Sequence, residues 1–474
     1  MDAMARDEAD ATGWVNDIHS GLNPTPVRDV IAVRSQRDIE AAIARAHRLR
    51  LPLAIAGGRH AMSGQQFARN ALLLDMRGLD QVRSFDRVNG LIEVEAGIQW
   101  PTLFAWLQRI QQRDARAWAV AQKQTGADGF TLGGSLAANI HGRGLAMRPI
   151  IADVESFTLL DANGDGLHCS RTDHPQLFRL AIGGYGLFGV IASVTLRLAP
   201  RRKLRRVVEI TDIGDVTASL EQRVAEGYLY GDFQFAIDER KSTFLRRGVL
   251  SCYHPVADDT PMPAQQLALS ERDWSELVRL AHTDKQAAFD RYSQFYLATS
   301  GQLYHSDTHQ LSVYLNGYHG ALDERLGHTG SEVITELYVP REQLVDFMTA
   351  AAEGFRRHAV DLIYGTVRLI RRDDESFLAW ARQDYACVVF NLHIRHSAAG
   401  ATQSAVAFRH LIDLVIGYGG SFYLTYHRHA TARQLETCYP QFREFLAWKL
   451  AYDPQERFQS DWYRHYRRLF VTLD

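Results

Sequence analysis

Ala56-Gly57-Gly58-Arg59-His60-Ala61-Met62-Ser63-Gly64-Gln65 follows an apolar run at 51–56 that reads as a short buried strand. This strand-then-glycine order decides how the first half of the chain is read. Clustered glycines let successive backbone N–H groups converge on an anion with no side chain in the way. A histidine inside such a loop can touch a phosphate, move a proton, carry a covalent link or simply sit in the turn. A second stretch has the same character: Gly126-Ala127-Asp128-Gly129-Phe130-Thr131-Leu132-Gly133-Gly134-Ser135-Leu136-Ala137-Ala138-Asn139-Ile140-His141-Gly142-Arg143-Gly144. Its small residues allow close backbone approach to a large flat ligand, and Asn139, His141 and Arg143 add polar groups.

Around these loops, helical and strand patterns alternate, the sign of an α/β or α+β domain. Ser35 is placed to cap a helix in which Ile39, Ala42, Ile43, Ala46 and Leu49 recur at helical spacing. Strand-like runs follow at 72–76 and 91–96, then a helix at 102–111. Asn163-Gly164 marks a hairpin within 153–170. Residues 189–198 read as a further strand. Pro200 and Arg201-Arg202-Lys203 suit a domain boundary. Beyond it, strands at 233–237 and 388–394 alternate with helices at 341–357 and 405–416. The stretch 255–330 is rich in aromatics (Phe289, Tyr292, Phe295, Tyr296, Tyr304, Tyr314, Tyr318) that suit either a core or a pocket wall.

Composition narrows the class. The 474 residues are 46% hydrophobic and 23% charged, an ordinary globular balance that suggests two or three domains. Lys+Arg at 53 against Asp+Glu at 55 gives a net charge of −2, so no basic field points to nucleic acid. Four cysteines without a CxxC exclude a disulfide scaffold and a cysteine-rich zinc site. The acidic first 13 residues lack the pattern of a signal peptide, and no run approaches the ~18 apolar residues of a membrane span. The expectation is a cytoplasmic enzyme with no transmembrane segment.

Gly184-Tyr185-Gly186-Leu187-Phe188-Gly189 matches GxGxxG, and Glu209 lies 20 residues beyond. A dinucleotide fingerprint needs a strand before the glycines and a helix after them. Here 174–182 reads as helix and 189–198 as strand, so the order is reversed.

Taken in order, GGRHAMSGQ, TLGGSLAANIHGRG and GGYGLFGVIASVTLRL resemble the FAD-binding domain of the vanillyl-alcohol-oxidase and p-cresol-methylhydroxylase flavoprotein superfamily. The second segment looks like that of sugar and aldonolactone oxidases. The first is similar to the loop through which cytokinin dehydrogenases attach FAD, which implies an 8α-histidyl link at His60. No cysteine lies between Gly57 and His141, so at most one covalent bond is expected. The resemblance implies further FAD contacts from the whole loop Gly57, Gly58, Arg59, Ala61, Met62, Ser63, Gly64 and Gln65. It implies the same for Gly126, Thr131, Leu132, Gly133, Gly134, Ala138, Asn139, Ile140, His141, Ile191 and Tyr423. Gly419-Gly420-Ser421-Phe422-Tyr423 and the stretch from Tyr439-Pro440 to Asp461 resemble the end of decaprenylphosphoryl-ribose oxidases. Those enzymes lack the linking histidine and place a lysine three residues after the matching tyrosine. Here that position is Tyr426, followed by His427.

The expected fold is α+β, an FAD-binding domain of p-cresol-methylhydroxylase type with an inserted α+β substrate domain. Its expected parts are an extension at 1–24, FAD-binding residues 25–203, a substrate cap at 204–418 and a returning segment at 419–474. The expected activity is FAD-dependent oxidation of a CH–OH group of a sugar, polyol or lactone. A CH–NH oxidation and a redox-inactive flavin-binding partner are the alternatives, and oxygen, a quinone or a protein would accept the electrons. Strand alternation would put Tyr423, Thr425 and His427 on one face and Leu424, Tyr426 and Arg428 on the other. Tyr423 and Tyr426 reach one site only if a turn or bulge intervenes. Tyr426 or His427 is the expected base, and Arg143 and Arg368 are expected to bind polar or anionic substrate groups.

Overall fold

The computed structural model describes residues 13–313, 315 and 317–471; residues 1–12 of the expected extension and Tyr314 lie outside the described residues. Three sheets of three or more strands organise the described residues. The first is a parallel three-stranded sheet with Leu72–Asp75 between Asp29–Ala32 and Leu53–Ala56. The helix Gln36–Leu49 buries Ile39, Ala42, Ile43 and Ala46 beside it, and the Asp38 carboxylate accepts the Ser35 N–H at its start. Ending this sheet at Ala56 delivers the chain straight into the first glycine loop.

The second sheet is antiparallel and five-stranded. Gly166–Ser170, Val154–Leu160, Val190–Arg197, Leu91–Glu95 and Val82–Asp86 lie side by side in that order. Gly164, with φ of 92°, turns the Asn163-Gly164 hairpin between the first two. The helix Pro175–Ala181 precedes the GxGxxG glycines and the strand Val190–Arg197 follows them, the reverse of a dinucleotide motif.

The third sheet has eight strands, ordered Leu303–His305, Lys203–Asp212, Arg247–Pro255, Tyr230–Phe235, Leu362–Ile370, Tyr385–Arg395, Gly330–Pro340 and Ser421–Phe422. Every pairing in it is antiparallel. Register fixes what each face carries. Glu336 pairs with Val389, Val389 with Thr366 and Thr366 with Gln234, so these four share a face. The next row, Leu337, Val388, Val367 and Phe233, shares the other. On that apolar face lie the helices Leu344–Arg357 and Ala398–Gly417, with Phe355 packed edge-on to Phe390 at 4.9 Å. Over one end of the polar face lie Glu271–Thr283 and Lys285–Ala298, which bury Leu277 and Tyr292 against Val208 and Val249.

After Ser421–Phe422 the chain crosses back to the first sheet. Leu53 N–H donates to the Arg457 carbonyl at 2.7 Å, and the Leu53 carbonyl accepts Gln459 N–H at 2.8 Å. Trp462 packs on Tyr185 with ring centroids 4.6 Å apart. Buried Arg457 donates to the Ala46 and Leu51 carbonyls at 3.0 and 2.9 Å.

Candidate active site

Between the glycine loops and the polar face of the eight-stranded sheet lies a cavity of about 750 Å³. That is within the ordinary range for small-molecule and cofactor sites. One wall is the meeting of the two glycine loops. A Cβ on Gly57 would stand 2.0 Å from Thr131 Oγ1, and one on Gly58 would stand 2.0 Å from the Gly129 carbonyl oxygen. Any larger residue at either position forces the loops apart, which is the physical reason for glycine there. His60 is buried in this wall, its ring stacked on Phe130 with centroids 4.4 Å apart. Burial, with His19 nearby, lowers its pKa to about 3, so the imidazole is neutral at pH 7.

The returning segment closes the cavity from the other side. Residues 424–426 are a turn, not the continued strand that alternation assumes, so Tyr423 and Tyr426 both line the cavity. The turn is pinned to the first glycine loop. Gln65 Nε2 and Ser63 Oγ donate to the Thr425 carbonyl at 2.6 and 3.1 Å. Tyr423 O–H donates to the Ala138 carbonyl of the second glycine segment.

At the centre is Glu336, buried on the polar face. Its Oε1 accepts Tyr426 O–H at 2.9 Å, and its Oε2 lies 2.9 Å from His141 Nε2 and 3.1 Å from Tyr338 O–H. Burial works to raise the Glu336 pKa, but His141, Arg368 and the Tyr426 hydroxyl outweigh it and hold it below the ordinary glutamate value. Burial and the Glu336 charge push Tyr426 well above a normal phenol. His141 Nδ1 faces the Gly142 carbonyl at 3.0 Å, an acceptor, so that nitrogen carries a hydrogen.

Arg143 and Arg368 also line the cavity. Arg368 donates to Thr125 Oγ1 at 2.6 Å, while Arg143 donates to the His309 carbonyl and lies 5.2 Å over the Tyr253 ring. The Nε of each is buried with no hydrogen-bond partner among the described residues.

His427 is a correction to the expected pair. It does not line the cavity. Its ring lies beyond the apolar face of the sheet, stacked on Phe408 at 4.2 Å with Thr335 Oγ1 3.2 Å from Nε2. Burial there drives its pKa well down. Asn139 is another: its amide donates to Asp373 at 2.9 Å and Ser376 at 3.2 Å, behind the wall. Ser63, Gly64 and Leu132 likewise stand behind it, whereas the other expected cofactor residues line it. Sequence reasoning missed Glu336. The available signal was two glutamates four residues apart, Glu332 and Glu336, in an otherwise β-prone run.

Comparison with known proteins adds the cofactor. The family model described as FAD binding domain matches residues 27–170. The cradle suits that group: both glycine segments fall within the match, and their backbones meet with no room for a Cβ. An uncharacterized oxidoreductase of the fasciation locus of Rhodococcoides fascians is 30% identical over 174 residues, 36% of this chain and 37% of that protein. The chain thus spans well under half of that relative. L-gulono-1,4-lactone dehydrogenase of Mycobacterium tuberculosis is 23% identical over 396 residues, 83% of this chain and 86% of that one. Decaprenylphosphoryl-beta-D-ribose oxidase of Mycolicibacterium smegmatis is 22% identical over 483 residues, 96% and 97% of the two chains. No helix among the described residues is long and apolar enough to cross a membrane. With its glycine cradle and its matched domain, the chain carries an FAD binding domain and is similar, along most of its length, to relatives of the vanillyl-alcohol-oxidase and p-cresol-methylhydroxylase flavoprotein family.

Proposed function

We propose that the protein oxidises a CH–OH group of a sugar, polyol or lactone-like substrate, with Tyr426 and Glu336 taking up the hydroxyl proton. The observation that carries this is the Tyr426–Glu336–His141 chain of hydrogen bonds in the cavity wall. The chemistry that bound FAD would supply here is hydride acceptance. The chain's own task is the proton. A buried phenol with a raised pKa gives up its hydrogen only as it receives another. The substrate hydroxyl proton passes to the Tyr426 oxygen while the Tyr426 proton passes to Glu336 Oε1. Arg143 and Arg368, each with a spare buried Nε–H, hold the polar end of the substrate. Relatives named for a lactone and a ribose substrate support the same class.

FAD would be held by the His60 and Thr131 loops and by Tyr423, with a covalent link through His60 Nδ1 or Nε2. A neutral buried imidazole at the cavity wall is the form able to act as nucleophile. We assign 25–203 and 419–474 to holding FAD and 204–418 to the substrate, because the polar sheet face and its two covering helices lie in the latter.

Anaerobic mixing with polyols, aldoses, aldonolactones and amines tests the reading. Flavin bleaching by a member of the first three classes is expected, and bleaching by amines alone overturns it. Acid-precipitated holoprotein should stay yellow, and His60→Ala should release its flavin on denaturation. A colourless wild-type precipitate removes the covalent link.

A further inference from the structure

We propose that His282, Glu332 and His393 form a binding site for a divalent ion of the zinc class, independent of the flavin reading. Glu332 and His393 are direct register partners on the polar face, and His282 comes down from the helix Glu271–Thr283. His282 Nε2 and His393 Nδ1 lie 2.8 and 3.1 Å from the same oxygen, Glu332 Oε1. All three side chains are almost fully enclosed, at 0, 3 and 3% exposure. Tetrahedral zinc bonds of roughly 2.0–2.1 Å place ligand atoms about 3.3 Å apart, so small shifts admit the ion.

The imidazole tautomers point the same way. His282 Nδ1 lies 2.8 Å from the Val278 carbonyl, which only accepts, so Nδ1 carries the hydrogen and neutral His282 has a bare Nε2. His328 Nδ1 lies 3.1 Å from the Leu326 carbonyl, so neutral His328 has a bare Nε2. That atom is 2.9 Å from His393 Nε2, which must then be the donor. Neutral His393 is left with a bare Nδ1. With both rings neutral, two lone pairs and a carboxylate oxygen thus converge, a donor set that a divalent cation occupies in place of bridging protons. The Val278 carbonyl and His328 provide the outer hydrogen bonds that orient the two imidazoles. Tyr318 O–H and His319 Nε2 engage the other oxygen, Oε2, which leaves Oε1 to the ion.

Two imidazoles and a carboxylate give three protein ligands, and Glu332 and Tyr318 line the cavity. The fourth position faces that space, for water or an oxygen of a bound ligand. The site lies roughly 13 Å along the strand from Glu336, at about 3.3 Å per residue, away from the reacting atoms.

The test is zinc content and affinity of the flavin-loaded full chain. After chelator treatment and desalting, titration with Zn²⁺ alone should fill one tight site per chain. His282→Ala and His393→Ala should abolish it, and His328→Ala should weaken it about 10–100-fold. The double variant His358→Ala/His410→Ala, at a separate imidazole pair, should keep it. Should the alanine variants fail to fold, zinc-edge X-ray absorption of the wild type decides. Nitrogen and oxygen neighbours with imidazole scattering support the site. A sulfur neighbour would assign the ion to Cys387 beside His141 and Glu336 and overturn the proposal, as would no zinc bound at micromolar concentration.

Discussion

The two faces of the eight-stranded sheet are built from adjacent residues of the same strands, yet they do opposite work. One carries Glu332, Glu336, Arg368, Tyr364 and Asp232 towards a cavity. The other carries Leu337, Val388, Val367, Phe233 and Phe390 into a core under two helices. A period of two is all that separates them. Polar residues survive on the first face because each is partnered, as Glu336 is by Tyr426 and His141, or has a ligand space in front of it. The second face tolerates few such groups. The contrast is sharpest in the Tyr426-His427 pair, where successive side chains end on opposite sides of the sheet.

The largest effect separating the faces should be on catalysis. Tyr426→Phe removes the hydroxyl that spans cavity and Glu336 and should slow flavin reduction about 10²–10⁴-fold, the weight of a positioned acid or base. FAD binding should persist, since the cradle lies in the glycine loops. Stopped-flow reduction with the best substrate measures this, and an unchanged rate removes Tyr426 from the mechanism. On the other face, Phe390→Ala should cost about 3–5 kcal/mol of stability through the cavity left beside Phe355. Denaturant midpoints measure it, and a loss under 1 kcal/mol would mean that the helices re-pack freely over the sheet.

Acidity offers a finer contrast. The folded Glu336 carboxyl is held below its ordinary value by His141, Arg368 and Tyr426 against the pull of burial. A lowered folded pKa contributes stability that is present above the unfolded value of about 4.3 and fades as pH falls through the folded one. The stability gap between wild type and Glu336→Gln should therefore be constant from pH 7 to about 5 and narrow below that. A gap that widens in acid would reverse the sign of the shift.

The cofactor half was legible because its signals are local. Strand-then-glycine at Ala56 to Gly58, the asparagine–glycine hairpin and the reversed order around Gly184 each act within a dozen residues. The proposed proton path is assembled across distance. Glu336 meets His141, 195 residues away, and Tyr426, 90 residues away, only through sheet order and the C-terminal return. Local pattern does not encode such meetings. The turn at 424–426 was hidden for another reason. Leu424-Thr425-Tyr426 contains no glycine, proline or asparagine, and the bend is imposed by Gln65 and Ser63 gripping the Thr425 carbonyl. The helix Glu271–Thr283 was legible in principle, since Ser270 and Asp273 form a capping box at its start.

The smallest effect belongs to His427, and it tests the contrast from the silent side. A histidine near a reacting centre invites the role of base, since its ordinary pKa of about 6.5 suits neutral pH. Here the ring sits with Phe408 and Phe422, and burial keeps it neutral and away from the cavity. Its Nε2 meets Thr335 at 3.2 Å, while its Nδ1 is buried with no partner among the described residues. Replacing it with phenylalanine keeps the stack on Phe408, removes that orphaned nitrogen and loses one neutral hydrogen bond. The net change in stability should be about 0.5–1.5 kcal/mol. Flavin reduction in His427→Phe should stay within a factor of about three of wild type, because nothing that touches the cavity has changed. A fall of 10²-fold with the fold intact would place the proton acceptor on the helix side of the sheet and undo the division of labour between its faces.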